Sequence, residues 1–209
     1  MAITSKRSVM SLYSGSKDPY SHQIRIVLEE KGVTFELIDV NSSTKAKEEI
    51  AEYNPYGSVP TLIDRDLVLY RSEIVSEYID ERFPHPPLLP VYPVLKARSR
   101  LMIYRIKHDW YSLMDQILDQ ETPEATKDKL RQNLIDSLLS VTPVFAEAPY
   151  FLSEEFSLID CWILPLLWRL PRMGIKLPDN ATAILKYKDK GFLRPSFQAS
   201  LTDVEKSMR

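Results

Sequence analysis

The rhythm of apolar and polar positions changes once along this chain. Ser8-Val9-Met10-Ser11-Leu12-Tyr13 alternates, as a strand does. A polar loop over 14–18 follows. Pro19 then suits the first turn of a helix. That helix puts Ile24, Val27 and Leu28 on one face and stops at Lys31-Gly32, with Gly32 as its C-terminal cap. Thr34-Phe35-Glu36-Leu37-Ile38-Asp39-Val40 alternates again, so a helix lies between two strands, a right-handed βαβ unit. Residues 45–53 predict a short polar helix, and Asn54-Pro55-Tyr56-Gly57 a turn. Short strands at 61–63 and 67–70 join through Asp64-Arg65-Asp66. Ile74, Val75, Tyr78 and Ile79 mark a third helix. The order β-α-β-α-β-β-α fits a small α/β layer.

Past residue 93 the period is helical. Met102, Ile106, Trp110, Leu113 and Ile117 step by three and four, and so do Leu130, Leu134, Leu138, Val141 and Phe145. These predict two long amphipathic helices, separated near Thr122-Pro123. Residues 158–170 are apolar nearly all round, which predicts a buried helix kinked at Pro165. Shorter helical pieces near 183–190 and 195–201 close the domain. The expected organisation is α/β plus all-α: a first domain over 1–83, a connector over 84–93 and a helical domain over 94–209.

The connector is the break in the rhythm. It reads Phe83-Pro84-His85-Pro86-Pro87-Leu88-Leu89-Pro90-Val91-Tyr92-Pro93. Each proline removes an N–H donor and fixes φ, so the run predicts a stiff, extended segment. Taken alone it is a linker. Phe83, His85 and Tyr92 add something a spacer does not need, because aromatics on a pre-ordered backbone serve as interface anchors.

Composition narrows the partners. A net charge of −2 over 209 residues offers no basic stripe for nucleic acid or an anionic membrane. One cysteine, Cys161, excludes an intramolecular disulfide and a cysteine metal cluster. The first residues, Met-Ala-Ile-Thr-Ser-Lys-Arg, lack an apolar signal core, and no apolar stretch is long enough to span a membrane. The expectation is a cytoplasmic protein without metal or cofactor.

Val59-Pro60 stands directly before a strand, either as an ordinary turn proline or as a cis bond that exposes backbone to a ligand. Ser157 and Asp160 have capping-box spacing, which makes Asp160 a structural acid rather than a catalytic one, with Phe156 and Cys161 placed as a hydrophobic staple. His22 reads as a partly exposed packing residue. His108 and Asp109 point to different helix faces and make no dyad. Lys45-Ala46-Lys47-Glu48-Glu49 is a solvated face.

The α/β layer, Val59-Pro60, Arg71-Ser72 opening the third helix, and the Ser157…Asp160 box together resemble the glutathione S-transferase superfamily, over nearly the whole chain. Several stretches resemble its RNA-polymerase-associated branch: Lys6-Arg7-Ser8-Val9-Met10, Tyr20-Ser21-His22-Gln23-Ile24-Arg25-Ile26-Val27-Leu28, Asp80-Glu81-Arg82-Phe83-Pro84-His85-Pro86-Pro87-Leu88, Pro90-Val91-Tyr92-Pro93, Pro149-Tyr150-Phe151-Leu152-Ser153 and Pro165-Leu166-Leu167-Trp168-Arg169-Leu170-Pro171. The resemblance implies a thioredoxin-like domain followed by a helical bundle, and a homodimer, with pairing to a paralogue as the alternative. It also implies a glutathione site, which departs from the pattern here. Asp18 stands where thiol-using relatives carry cysteine, and a carboxylate repels a thiolate. Tyr13, Ser14 and Ser16 remain as hydroxyl candidates. Arg71 replaces the acidic residue before Ser72, and Ser72 is either a helix-start residue or a carboxylate ligand. Asp18, Val59, Pro60, Arg71 and Ser72 thus read as vestigial positions, and no catalytic residue is assigned. The resemblance places the RNA polymerase surface at Pro84, His85 and Pro86, with Phe83, Pro87 and Tyr92 beside them. It implies a regulator that docks on the holoenzyme through its sigma factor and alters promoter use under starvation or stress. The alternative is a glutathione-dependent enzyme.

Overall fold

The computed structural model describes residues 9–42 and 44–209. Ser8, where the first strand was expected to begin, lies outside them, as do Lys6 and Arg7 and the N-terminal stretch read for a signal. The described residues group into two compact units. One runs to Pro86 and includes Ser196–Ser207; the other is Pro87–Pro195 with Met208–Arg209.

In the first unit, strands β1 (Met10–Ser14), β2 (Phe35–Asp39), β3 (Thr61–Asp64) and β4 (Leu67–Tyr70) form one sheet in the order β2-β1-β3-β4. β1 pairs parallel with β2, Leu12 opposite Leu37, and antiparallel with β3, Leu12 opposite Leu62. Apolar and polar positions alternate along β1. All five residues are buried all the same, because β1 is central. The polar Ser11 is accommodated by donating to Glu36 Oε2 on the edge strand at 3.0 Å. Tyr13, Val40, Ile50 and Ile63 form a core between this sheet and helix α2 (Thr44–Tyr53). Helices α1 (Pro19–Glu30) and α3 (Ser72–Arg82) pack together.

The ends of α1 follow from its sequence. Asp18 Oδ2 accepts the Ser21 N–H at 2.6 Å, a cap with Pro19 directly behind it. At the other end Gly32 has φ +60°. Its N–H bonds Glu29 O and the Val33 N–H bonds Leu28 O, the pair of bonds that closes a left-handed helix stop.

The C-terminal segment was expected to close the helical domain. Helices α10 (Pro195–Ser200) and α11 (Asp203–Lys206) lie there, but Ser196–Ser207 groups with the first unit. The reason is polar. Arg25, buried in α1, donates to Ser200 O at 2.7 Å and to Glu205 Oε2 at 2.6 Å. His22 is fully buried rather than partly exposed: Nε2 lies 3.0 Å from Ser200 Oγ, and the ring packs on Phe197.

In the second unit, α4 (Pro93–Ile106) and α5 (Ser112–Leu118) are joined without a break by a wider turn, Lys107–Tyr111, with one extra residue per backbone bond. The first long helix is therefore three segments. α6 (Glu124–Ser140) follows Pro123, and α7 (Thr142–Glu147) completes what read as the second long helix. Trp110 Nε1 donates to Ser137 Oγ at 2.9 Å and the Tyr111 hydroxyl to Trp162 O at 2.7 Å, so the wide turn aims both aromatics inward.

All of α8 (Leu158–Trp168) is buried. Side chains of this size contribute about 1.5–3 kcal/mol each on burial. α9 (Thr182–Phe192) packs against it at Gly191, where an added Cβ would meet Leu164 at 2.3 Å. Asp160, buried, accepts from the Ser157 N–H and Oγ at 2.8 and 2.9 Å on one oxygen. On the other it accepts from the Phe151 N–H at 3.0 Å and the Tyr187 hydroxyl at 2.7 Å. Burial raises its carboxyl above the ordinary range, and those four donors pull the other way. Every acceptor position is in use, as a structural role requires.

Candidate functional site

The β1–α1 loop opens onto a cleft of about 430 Å³ lined by Gly15, Ser16, Lys17, Asp18, Val40, Asn41 and Val59. The loop is held from three sides. Asn41 Oδ1 accepts the Ser16 N–H at 3.1 Å, Ser21 Oγ accepts the Gly15 N–H at 3.1 Å, and Thr202 Oγ1 donates to Ser16 O at 2.7 Å. Gly15 is required for close approach: a Cβ there would lie 2.8 Å from Asp18 Cβ.

Of the five expected glutathione-site positions, Asp18 and Val59 line this cleft. Asp18 spends its carboxylate on the helix cap. The Val59–Pro60 peptide is cis. Pro60 is buried behind Val59, and Thr61 Oγ1, next in sequence, donates to Ser58 O at 2.8 Å. Arg71 and Ser72 lie at the start of α3. Arg71 has φ +73°, rare for a residue with a Cβ, and its guanidinium lies 3.7 Å from Glu73. Ser72 is 2% exposed, and its Oγ has no hydrogen-bond partner among the described residues. The three hydroxyl candidates are engaged. Tyr13 donates to Glu49 at 3.2 Å, Ser14 Oγ accepts from Arg25 Nη1 at 2.5 Å, and Ser16 Oγ faces Asn41 Oδ1 at 3.4 Å. Only Ser16 of these lines the cleft.

The proline run was expected to be extended; it bends repeatedly between Phe83 and Tyr92, and the His85–Pro86 peptide is cis. Leu88 and Leu89 explain the bends, since both are buried while Pro87 before them is exposed and Pro90 after them half-buried. Leu88 O accepts the Leu158 N–H at 2.8 Å, inside the second unit. In the first unit Lys31 fixes the other half. Its buried Nζ donates to Asp80 Oδ1 at 2.6 Å and to Pro86 O at 2.5 Å. Pro84, His85, Pro86 and Pro87 are exposed, Phe83 is half-buried beneath the Arg82 guanidinium, and Tyr92 is 73% exposed. Lys31 thus holds the Pro86 carbonyl, next to an exposed His85. The sequence reading missed Lys31. A lysine just past the end of a helix reads as solvated, and nothing near it in sequence marks a buried partner.

Other expected features are unremarkable. His108 stacks on Tyr104 and Asp109 lies 3.9 Å from Arg105, so the two face apart. Among the described residues no cluster of histidine, cysteine, aspartate or glutamate could hold a metal, and no helix is long and apolar enough to cross a membrane.

A four-stranded mixed sheet with a cis proline ahead of β3, followed by a helical unit with a capped buried helix, defines the glutathione S-transferase fold. Residues 8–81 match the family model for the glutathione S-transferase N-terminal domain and residues 101–195 that for the C-terminal domain. The solved poplar glutathione transferase F1 superposes with a TM-score of 0.81 at 20% identity, covering 96% of this chain and 99% of that one. Full-length relatives are more specific. The stringent starvation protein A homolog of Coxiella burnetii is 49% identical over 205 residues, 98% of this chain and 97% of its own. That of Haemophilus ducreyi is 52% identical over 197 residues, 94% and 91%. The chain belongs to the stringent starvation protein A family.

Proposed function

We propose that the protein is a non-enzymatic, cytoplasmic transcription regulator that docks on RNA polymerase holoenzyme through the sigma factor and alters promoter use under starvation or stress. The observation that carries this reading is the exposed Pro84-His85-Pro86 element, whose last carbonyl is fixed by buried Lys31. A side chain displayed on a pre-ordered backbone loses little entropy on binding. Phe83, Pro87 and Tyr92 complete the contact surface. The protein acts as a homodimer, which presents the element twice. Its net charge of −2 favours contact with protein over independent DNA binding. The double variant Pro84→Ala/His85→Ala is expected to keep its fold and mass in solution while losing co-purification with RNA polymerase. Unchanged co-purification would remove this element from the interface. The mass of the complex isolated from cells distinguishes a homodimer from a pair with a paralogue.

One observation favours a second reading, a glutathione-binding protein. Ser72 Oγ is buried without a hydrogen-bond partner among the described residues, at a helix N-terminus suited to a carboxylate. Against it stand Asp18, whose charge repels a thiolate, and Arg71, whose charge repels the amino group of the ligand. The protein is expected to pass through immobilised glutathione unretained and to leave a small electrophile unconjugated at millimolar glutathione. Retention on the resin would reinstate the enzyme.

A further inference from the structure

In the second unit a groove of about 540 Å³ runs along one flank of α4, walled on its far side by the turn over 149–153 and the start of α8. Its floor and rim are Leu95, Met102, Leu152 and Ile159, with Arg98 and Arg105 along the edge. Three observations say what it holds. First, the groove's lining carries Arg98 and Arg105 and no acidic residue, in a chain whose net charge is −2. Second, the rim is open: Leu95, Leu101 and Leu152 are 45, 60 and 48% exposed. A pocket for a small ligand encloses most of its guest, whereas an amphipathic helix needs a groove of this open kind.

Third, Leu152 is held against its own preference. Its φ is +57°, a conformation suited to glycine or asparagine. The turn is locked by reciprocal Tyr150–Ser153 backbone bonds and by Asp160, which accepts the Phe151 N–H. Neither burial nor backbone preference calls for leucine here, so its use is to be displayed.

We propose that this groove docks an acidic amphipathic helix of a partner protein, its apolar face on Leu95, Met102 and Leu152 and its carboxylates on Arg98 and Arg105. A second copy of the chain fits less well, because a two-fold contact centred on the groove brings Arg98 and Arg105 of both copies together. The site uses none of Phe83, Pro84, His85, Pro86, Pro87 or Tyr92 and stands if the polymerase reading fails.

The test is fluorescence anisotropy on the full chain with a labelled model peptide of about five helical turns, leucine on one face and glutamate elsewhere, beside its lysine counterpart. The acidic peptide is expected to bind about tenfold tighter than the basic one, and Arg98→Glu/Arg105→Glu to reverse that order. Leu152→Gly is expected to weaken acidic-peptide binding about fivefold while leaving the thermal midpoint unchanged or raised, because the turn then relaxes. No preference between the peptides, or a preference that neither variant alters, overturns the proposal. So does saturable binding of a fluorescent fatty acid without binding of the acidic peptide, which makes this a small-ligand site. A change in the protein's own mass in Arg98→Glu/Arg105→Glu, with peptide binding unaltered, assigns the groove to self-association and also overturns it.

Discussion

Glu205→Ala is expected to destabilise the first unit by roughly 3–5 kcal/mol, the range for breaking a buried ion pair from one side. Glu205 and Arg25 are 0 and 2% exposed at their side chains, with Nη2 and Oε2 2.6 Å apart. Arg25 also donates to Ser200 O and Ser14 Oγ. Glu205 Oε2 also accepts the Thr202 N–H at 3.0 Å, and the Glu205 N–H returns to Thr202 Oγ1 at 3.1 Å. Alanine removes the carboxylate's bonds to Arg25 and to the Thr202 N–H, and leaves a guanidinium in the interior without that counter-charge. Domains have about 5–15 kcal/mol in hand, so the loss is a large share. Urea unfolding would measure it, and proteolysis should cut first within residues 196–207. The paired substitution Arg25→Met/Glu205→Leu is expected to recover most of the loss, because two apolar side chains need no partner. A cost below about 1 kcal/mol for Glu205→Ala would show that water reaches the pair.

That network also marks where sequence reading stops. Local signals carried far. Asp18-Pro19 at the start of α1, Gly32 at its end, the Ser157…Asp160 box and the unbroken apolar surface of α8 each act within a few residues, so their patterns could be read directly. Arg25 and Glu205 lie 180 residues apart. Neither carries a local mark of burial, and a charged residue read alone goes to solvent. The expectation that residues 195–201 close the helical domain rested on the same gap. A signal was present in Thr202-Asp203-Val204-Glu205, a capping box like the one at Ser157, and it could have given Glu205 a structural role. His22 read as partly exposed for a related reason: its partners Ser200 and Phe197 come from that returning segment. At the candidate site, residue types at Asp18, Arg71 and Ser72 were legible, but their engagement was not. Asp18 serves α1, Ser14 serves Arg25, and Pro60 and Ser72 are buried, none of which spacing encodes.

The proline run shows the same divide, and it yields the second large effect. Its composition announced stiffness. Its shape depends on Leu88 and Leu89 turning inward and on Lys31 reaching Pro86 O. Lys31→Met is expected to cost roughly 3–5 kcal/mol, because Asp80 then keeps a mostly buried carboxylate without its cation. That variant alone confounds folding with recognition. Lys31→Met/Asp80→Leu separates them. With both charges gone, urea unfolding should return toward the wild-type midpoint, yet the Pro86 carbonyl still has no Nζ to hold it. If anchoring is what presents His85, the double variant is folded but co-purifies with RNA polymerase at least about tenfold less well, since freeing the segment restores the entropy that binding must then remove. A folded double variant that co-purifies as the wild type does would show that the prolines alone keep His85 in place, and that Lys31 serves stability only.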